Sequence, residues 1–176
     1  MKKILFIALI IISINSIGQN KYSTKIEEVE NSQGVLLQED TKVIGSINTY
    51  MNTGKLRIIS IKITDIKTST VTKGVKLNYN NDAAYIDLAE LDATITALEK
   101  MLNISSTKIV VESPTYSYRT KSDCLFHLSN GTKWGFLIFL NSATDKGLVS
   151  FFQNNEIEAL SDLITYLKTA KSQLTN

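Results

Sequence analysis

The spacing of apolar residues divides the chain into strand-like and helix-like segments. From about residue 24 to Ile86, apolar and polar residues alternate with a period of two, which is typical of half-buried β-strands. In the segment that begins at Lys55, for example, Ile59, Ile61 and Ile63 share one face. The predicted strands are Lys42–Met51, a strand starting at Lys55, Val71–Tyr79 and Ala84–Ile86, with a turn at Asn52–Gly54 between the first two.

The period changes to that of a helix at Asp87. Apolar residues recur at i, i+4, i+7 and i+11 from Leu91, so the pattern predicts an amphipathic helix over Asp87–Leu102. We expect Asp87 to be its N-cap and Glu90 to complete a capping box. A second amphipathic helix is predicted over Asn154–Lys171, with Asn154 or Asn155 as its cap.

A second group of strands lies between the two predicted helices. Asn130–Gly131 is a two-residue hairpin signal, which pairs Ser129 with Thr132 and places His127 opposite Trp134. The predicted strands of this group are Lys108–Glu112, Thr115–Arg119, Cys124–Ser129, Thr132–Leu140 and Leu148–Gln153.

The order strands–helix–strands–helix predicts an α+β fold, with an antiparallel β-sheet and two amphipathic helices. The two halves resemble each other, because Tyr85–Ile86 before Glu90–Ala93 aligns with Phe151–Phe152 before Glu156–Ala159 at an offset of 66 residues. A diverged internal duplication and independent convergence both explain this similarity. In layout the order resembles the duplicated strand-rich repeat of the Whirly and Pur single-strand binding proteins; the resemblance implies a fold and carries no function.

The first eighteen residues have the layout of a secretory signal peptide. Two lysines precede the apolar run Ile4–Ile12, and Ser16 and Gly18 supply small residues before a cleavage site ahead of Gln19. We therefore expect an exported protein of the periplasm or extracellular space, and the short leader favours a bacterial source. The predicted organisation is a signal peptide over 1–18, a short polar segment over 19–23 and a single α+β domain over 24–176.

Removal of the leader changes the charge balance. The full sequence has 19 Lys and Arg residues and 17 Asp and Glu residues; the leader takes two lysines, so the mature chain carries 17 of each. A nucleic-acid binder usually concentrates a basic excess on one face, so we expect no nucleic-acid partner.

The remaining chain lacks the ~20 consecutive apolar residues of a membrane span, which predicts no stable membrane insertion. Cys124 is the only cysteine, so we expect neither a lipid anchor at the cleavage site nor an intramolecular disulfide.

Familiar catalytic and metal-binding patterns are weak in this chain. Cys124 and His127 form C-x-x-H, but residues three apart on a strand point to opposite faces, so we expect no metal there. Ser105–Lys108 matches S-x-x-K at a frequency that chance explains, without the partner motifs of that enzyme class. The three carboxylates within Asp87–Asp92 suggest an acidic site, although a helix N-terminus also favours negative charge. No cofactor motif occurs, and we expect no cofactor.

The segment from Cys124 to Leu140 is apolar on both faces of the predicted hairpin. Since antiparallel sheets commonly keep one face in water, the second face needs a cover. The other half of the protein, a homodimer partner docked through the 124–140 hairpin, and an apolar ligand would each supply one. The predicted register places four side chains on a shared face, and we take them as candidate ligand-binding residues: His127, Trp134, Phe136 and Ile138.

These patterns favour an exported binding or structural module whose partner is an unknown protein or a small apolar ligand. The alternatives are a carrier of small apolar ligands and an enzyme with a site near His127. In the enzyme interpretation His127 is the general base, because its unperturbed pKa lies near neutrality.

Overall fold

The structure, a computed structural model, describes residues 23–50, 54–107, 114–141, 146–151 and 156–176. Four predicted features lie outside these ranges in whole or in part: the predicted leader Met1–Gly18, the predicted strand Lys108–Glu112, the first residues of the predicted Asn52–Gly54 turn, and the predicted cap at Asn154 or Asn155. In chain order the described elements are α1 (Lys25–Glu30), β1 (Leu37–Asn48), β2 (Lys55–Asp65), β3 (Val71–Tyr79), β4 (Asp82–Asp87), α2 (Leu91–Ser105), β5 (Thr115–Arg119), β6 (Leu125–Asn130), β7 (Trp134–Asn141), β8 (Lys146–Ser150) and α3 (Glu156–Thr175).

The described chain has the mixed α+β architecture that its pattern predicts, but it forms two sheets. Strands β1–β4 make one antiparallel four-stranded sheet (sheet 1), and β5–β8 make a second (sheet 2). Within each sheet, strands adjacent in sequence are adjacent in space, and a long helix follows the last strand. Strands β3 and β5 have the bounds predicted from the sequence.

The two long helices join the two sheets into one core. Helix α3 follows sheet 2 in sequence, yet it contacts β1, β2 and β3 of sheet 1 as well as β7. Helix α2 follows sheet 1 and contacts α3 and β5 of sheet 2. The main cluster of buried apolar side chains therefore contains residues from both sheets and both helices. Because each long helix contacts elements of the other half, the two halves share one core.

Helix α1 covers the part of the outer face of sheet 1 that lies over β3 and β4. The sequence pattern does not predict it, because six residues are too few to show a helical period. It begins with a reciprocal capping box, in which Glu27 N–H donates to Thr24 Oγ1 at 3.2 Å and Thr24 N–H donates to Glu27 Oε2 at 2.8 Å. Ile26 is fully buried against Ile61 and its neighbours. Gly74 permits this approach, since a Cβ at that position would overlap the Ile26 side chain.

The predicted cap of α2 is wrong. Helix α2 begins at Leu91, and its N-cap residue Glu90 makes no side-chain capping bond. Asp87 is the last residue of β4, and its carboxylate accepts hydrogen bonds from the Lys25 N–H at 2.9 Å and the Ile26 N–H at 3.3 Å. Asp87 therefore caps α1, which is distant in sequence. The prediction failed because sequence rules for helix caps consider only the helix that directly follows a residue.

The predicted hairpin register is also wrong. The loop between β6 and β7 has three residues, 131–133, so Trp134 lies opposite Asn130, and His127 lies opposite Leu137. A shift by an odd number of residues exchanges the two faces of a strand. Phe136 and Ile138 consequently lie on the core face of the sheet with Phe126 and Leu128, and His127 lies on the other face.

Candidate functional site

The side of sheet 2 that faces away from the core is the candidate site. Its side chains lie in two rows across the strands, with Ser117, His127 and Leu137 in one row and Leu125, Phe139 and Leu148 in the next. Leu125, Leu137 and Phe139 are half-buried, and Leu148 is 48% exposed. We call this surface the outer face of sheet 2, and it is defined by Ser117, Arg119, Leu125, His127, Leu137, Phe139 and Leu148.

The polar centre of this face is a contact between Ser117 and His127. Their Oγ and Nδ1 atoms are 3.0 Å apart across strands β5 and β6. With the neutral imidazole protonated on Nε2, the serine hydroxyl donates to Nδ1. Two interpretations fit this contact. In a catalytic site, the histidine would increase the nucleophilicity of the serine hydroxyl. In a structural role, the two side chains are a polar pair across neighbouring strands and carry out no reaction.

The four predicted ligand-binding residues do not share one surface. Phe136 and Ile138 are fully buried in the core, where the Phe136 ring stacks on that of Phe151 at 5.9 Å. Trp134 lies on the core side, with its ring centroid 6.2 Å from that of Tyr116, and its indole N–H donates to the Thr107 carbonyl at 3.3 Å. Only His127 lies on the outer face of sheet 2. A correct loop length would have identified Leu125, Leu137 and Phe139 from the sequence instead.

The β5–β6 turn lies at one end of this face and carries its charge. Arg119 forms an ion pair with Asp123, whose side chain is 5% exposed against 45% for that of Arg119. The exposed member of this ion pair is therefore the Arg119 guanidinium. The next residue, Cys124, is fully buried, and burial raises the pKa of its thiol well above its usual range. Cys124 is a core residue with an unreactive thiol.

The same turn joins sheet 2 to the free edge of β4. The Ser122 hydroxyl donates to the Tyr85 carbonyl at 2.6 Å and accepts from the Tyr85 N–H at 3.3 Å. It thereby satisfies backbone groups that a further strand would otherwise bind. Glu90, at the start of α2, accepts from the Lys121 N–H through Oε1 at 3.0 Å, while its buried Oε2 has no hydrogen-bond partner.

Burial of Glu90 raises the pKa of its carboxyl above the ordinary value of 4.5. The folded state thus favours the protonated form, and this contribution to stability is fully present below pH 4.5 and is lost as the pH rises through the folded pKa. We expect Glu90→Gln to increase the free energy of unfolding at neutral pH relative to the wild type, with a gain that disappears in acid. Urea unfolding at a series of pH values measures it, and a gain independent of pH would contradict this assignment.

The carboxylates within Asp87–Asp92 are held apart by different partners. Asp87 caps α1, Glu90 binds the β5–β6 turn, and Asp92 forms an ion pair with Lys171 of α3 at 2.5 Å. Among the described residues, no group of three or more His, Cys, Asp or Glu side chains is placed to hold a metal ion.

The surface grooves that described residues line include the following four, and none of these four includes the outer face of sheet 2. Two of about 400 and 440 Å³ flank α1, a third lies between α2 and α3, and the fourth lies beside Phe151.

None of the helices in the described ranges combines the length and apolar character that a membrane crossing requires. Comparisons with models of protein families, with curated proteins and with solved structures find no match to this chain.

Proposed function

We propose that the protein is an exported binding module and that the outer face of sheet 2 is its docking surface for an apolar segment of a partner protein. The observation that carries the proposal is the contrast between the two sheets. Helix α1 covers the part of the outer face of sheet 1 that lies over β3 and β4, with Ile26 buried beneath it. On sheet 2, Leu148 is 48% exposed and the three apolar side chains beside it are half-buried.

The shape of this surface favours a protein partner over a small ligand. Small-molecule sites are usually concave and bury most of the ligand, whereas the outer face of sheet 2 is one side of an antiparallel sheet and lines none of the four grooves above. An apolar protein segment can lie across such a face and bury Phe139 and Leu148 together. The exposed cation of Arg119 at one end favours a segment that carries a carboxylate at the corresponding end.

Site-specific crosslinking in the producing cells tests this proposal. A photo-reactive residue at position 148 is expected to give a discrete adduct with one partner protein, because Leu148 lies within the docking surface. Position 71 is the matched control, since Val71 is 44% exposed on β3 of the other sheet. The crosslinked segment, synthesised as a peptide, is expected to bind the purified protein at least tenfold more weakly after Phe139→Ser.

Three outcomes would refute the docking surface. These are equal adducts from positions 71 and 148, no adduct from either, and peptide binding that Phe139→Ser leaves unchanged. Circular dichroism of the Phe139→Ser variant serves as the folding control, since Phe139 lies outside the main core cluster.

An enzyme centred on Ser117 and His127 is the second candidate. The 3.0 Å contact between Oγ and Nδ1 favours it, because a serine nucleophile requires a base within hydrogen-bond reach. A fluorophosphonate probe that labels the folded wild type and fails to label Ser117→Ala would replace the binding-module proposal with this one. Labelling that survives Ser117→Ala would exclude it.

A diverged internal duplication remains part of the proposal. Both halves contain four consecutive antiparallel strands followed by a long helix, and the sequence similarity at an offset of 66 residues falls at the same strand-to-helix junction in each half. On this interpretation the two outer faces were once equivalent. The first then became covered by α1, and the second stayed open for a partner.

A further inference from the structure

Strand β1 is a long edge strand. Among the described residues its only strand partner is β2, and positions 38–43 are exposed on both faces of sheet 1. Val43 is 60% exposed. An open edge of this kind presents backbone N–H and C=O groups that can pair with another strand.

Two hydrogen bonds show which backbone groups point outwards. The Ile66 N–H donates to the Leu36 carbonyl at 3.0 Å, and the Ser60 hydroxyl donates to the Lys42 carbonyl at 3.3 Å. The carbonyls of even-numbered residues in this part of the strand therefore face β2. Because successive residues alternate in an antiparallel ladder, the backbone groups of odd-numbered residues from 37 to 43 face away from the sheet.

The charges along this edge select one register for pairing with a second copy of the chain. A two-fold axis at Thr41 places Asp40 of each copy directly opposite Lys42 of the other. An axis at Glu39, Asp40 or Lys42 instead places that residue opposite its own like charge. Directly opposed unlike charges stabilise an antiparallel pair, and like charges destabilise it.

We propose that two copies of this protein associate through antiparallel pairing of their β1 strands about a two-fold axis at Thr41. The backbone of Thr41 then pairs with its counterpart, and Glu39 pairs with Val43 of the other copy. The register shift between Val43 and Gly45 ends the new ladder. Edge charges and a bulge normally prevent indiscriminate strand pairing; in this register the charges are paired, so the same features make the association specific.

Charge reversal measured by sedimentation equilibrium tests the register. Asp40→Lys and Lys42→Asp each place like charges opposite one another twice in the dimer, so we expect each to weaken dimerisation by about tenfold or more. The double variant, with both substitutions, restores unlike pairs and is expected to recover wild-type affinity. Raising the salt concentration weakens the wild-type dimer, because these charges are exposed.

A backbone variant and a surface control complete the experiment. Thr41→Pro removes an outward-facing N–H without removing a bond to β2, and it is expected to abolish the dimer while the thermal unfolding of the monomer changes little. Leu148→Lys, on the outer face of sheet 2, is expected to leave the dimer unchanged. A monomer at every concentration, a dimer indifferent to the charge reversals, or a dimer lost only with Leu148→Lys would each overturn the proposal.

Discussion

Replacing Phe136 by Ala is expected to lower the free energy of unfolding by about 3–5 kcal/mol, whereas replacing Phe139 by Ala lowers it by about 1 kcal/mol. The two residues have the same side chain and lie three positions apart on β7, so they point to opposite faces. Phe136 is fully buried and stacked on Phe151, while Phe139 is half-buried on the outer face of sheet 2. Urea unfolding of both variants measures the difference.

The comparison tests which face of β7 packs on the core. In the structure, Phe136 lies on the core face with Leu128, its partner across the strands, and Phe139 lies on the other face with Leu125. Equal losses of stability for the two phenylalanine variants would contradict this assignment of faces. Far-UV circular dichroism of both variants verifies that the remaining fold is intact.

The sequence predicts the elements of this fold better than it predicts their faces. Periods of two and 3.6 are local signals, and they place β3 and β5 at their observed bounds. The face of a strand depends on its register, which here depends on one extra residue in the loop after Asn130. The candidate site follows the same error, since His127 lies on the outer face of sheet 2 and its three predicted companions do not.

Other features depend on contacts between residues far apart in sequence. Helix α1 is short, and it is held in place by Asp87 and by burial of Ile26 against sheet 1. A local sequence pattern cannot reveal such contacts. Asp87 also precedes α2 by a few residues, so the sequence alone favours it as the cap of α2. The division into two sheets also depends on a contact between residues far apart in sequence. The Ser122 hydroxyl forms hydrogen bonds with the backbone N–H and C=O of Tyr85 in β4, the edge strand of sheet 1. Those groups are then not available to pair with a strand of sheet 2.

Replacing Asp87 by Ala is expected to lower the free energy of unfolding by about 2–3 kcal/mol and to release α1 from sheet 1. Asp87 is 6% exposed, and its carboxylate accepts hydrogen bonds from two backbone N–H groups at the start of the helix. Hydrogen bonds to a charged acceptor contribute about 1.5–3 kcal/mol each, and loss of the acceptor leaves both donors without a partner. The total loss cannot exceed the free energy with which α1 docks, because beyond that point the helix detaches and its donors bind water.

Hydrogen exchange distinguishes this local release from general destabilisation. In Asp87→Ala we expect the amides of α1 to exchange faster, together with those of β3 and β4 that lie beneath it, while the amides of β6 and β7 keep their protection at native conditions. Asp92→Ala is the matched control, because that carboxylate is exposed and its ion pair with Lys171 bridges two helix surfaces. An exposed pair of this kind contributes about 0.2–1 kcal/mol.

If Asp87→Ala and Asp92→Ala lower the free energy of unfolding equally, or if protection from exchange falls uniformly across both sheets, Asp87 does not hold α1 in place. The selective result would mean that one carboxylate at the end of β4 keeps the outer face of sheet 1 covered, and with it the difference between the two faces on which the proposed function rests.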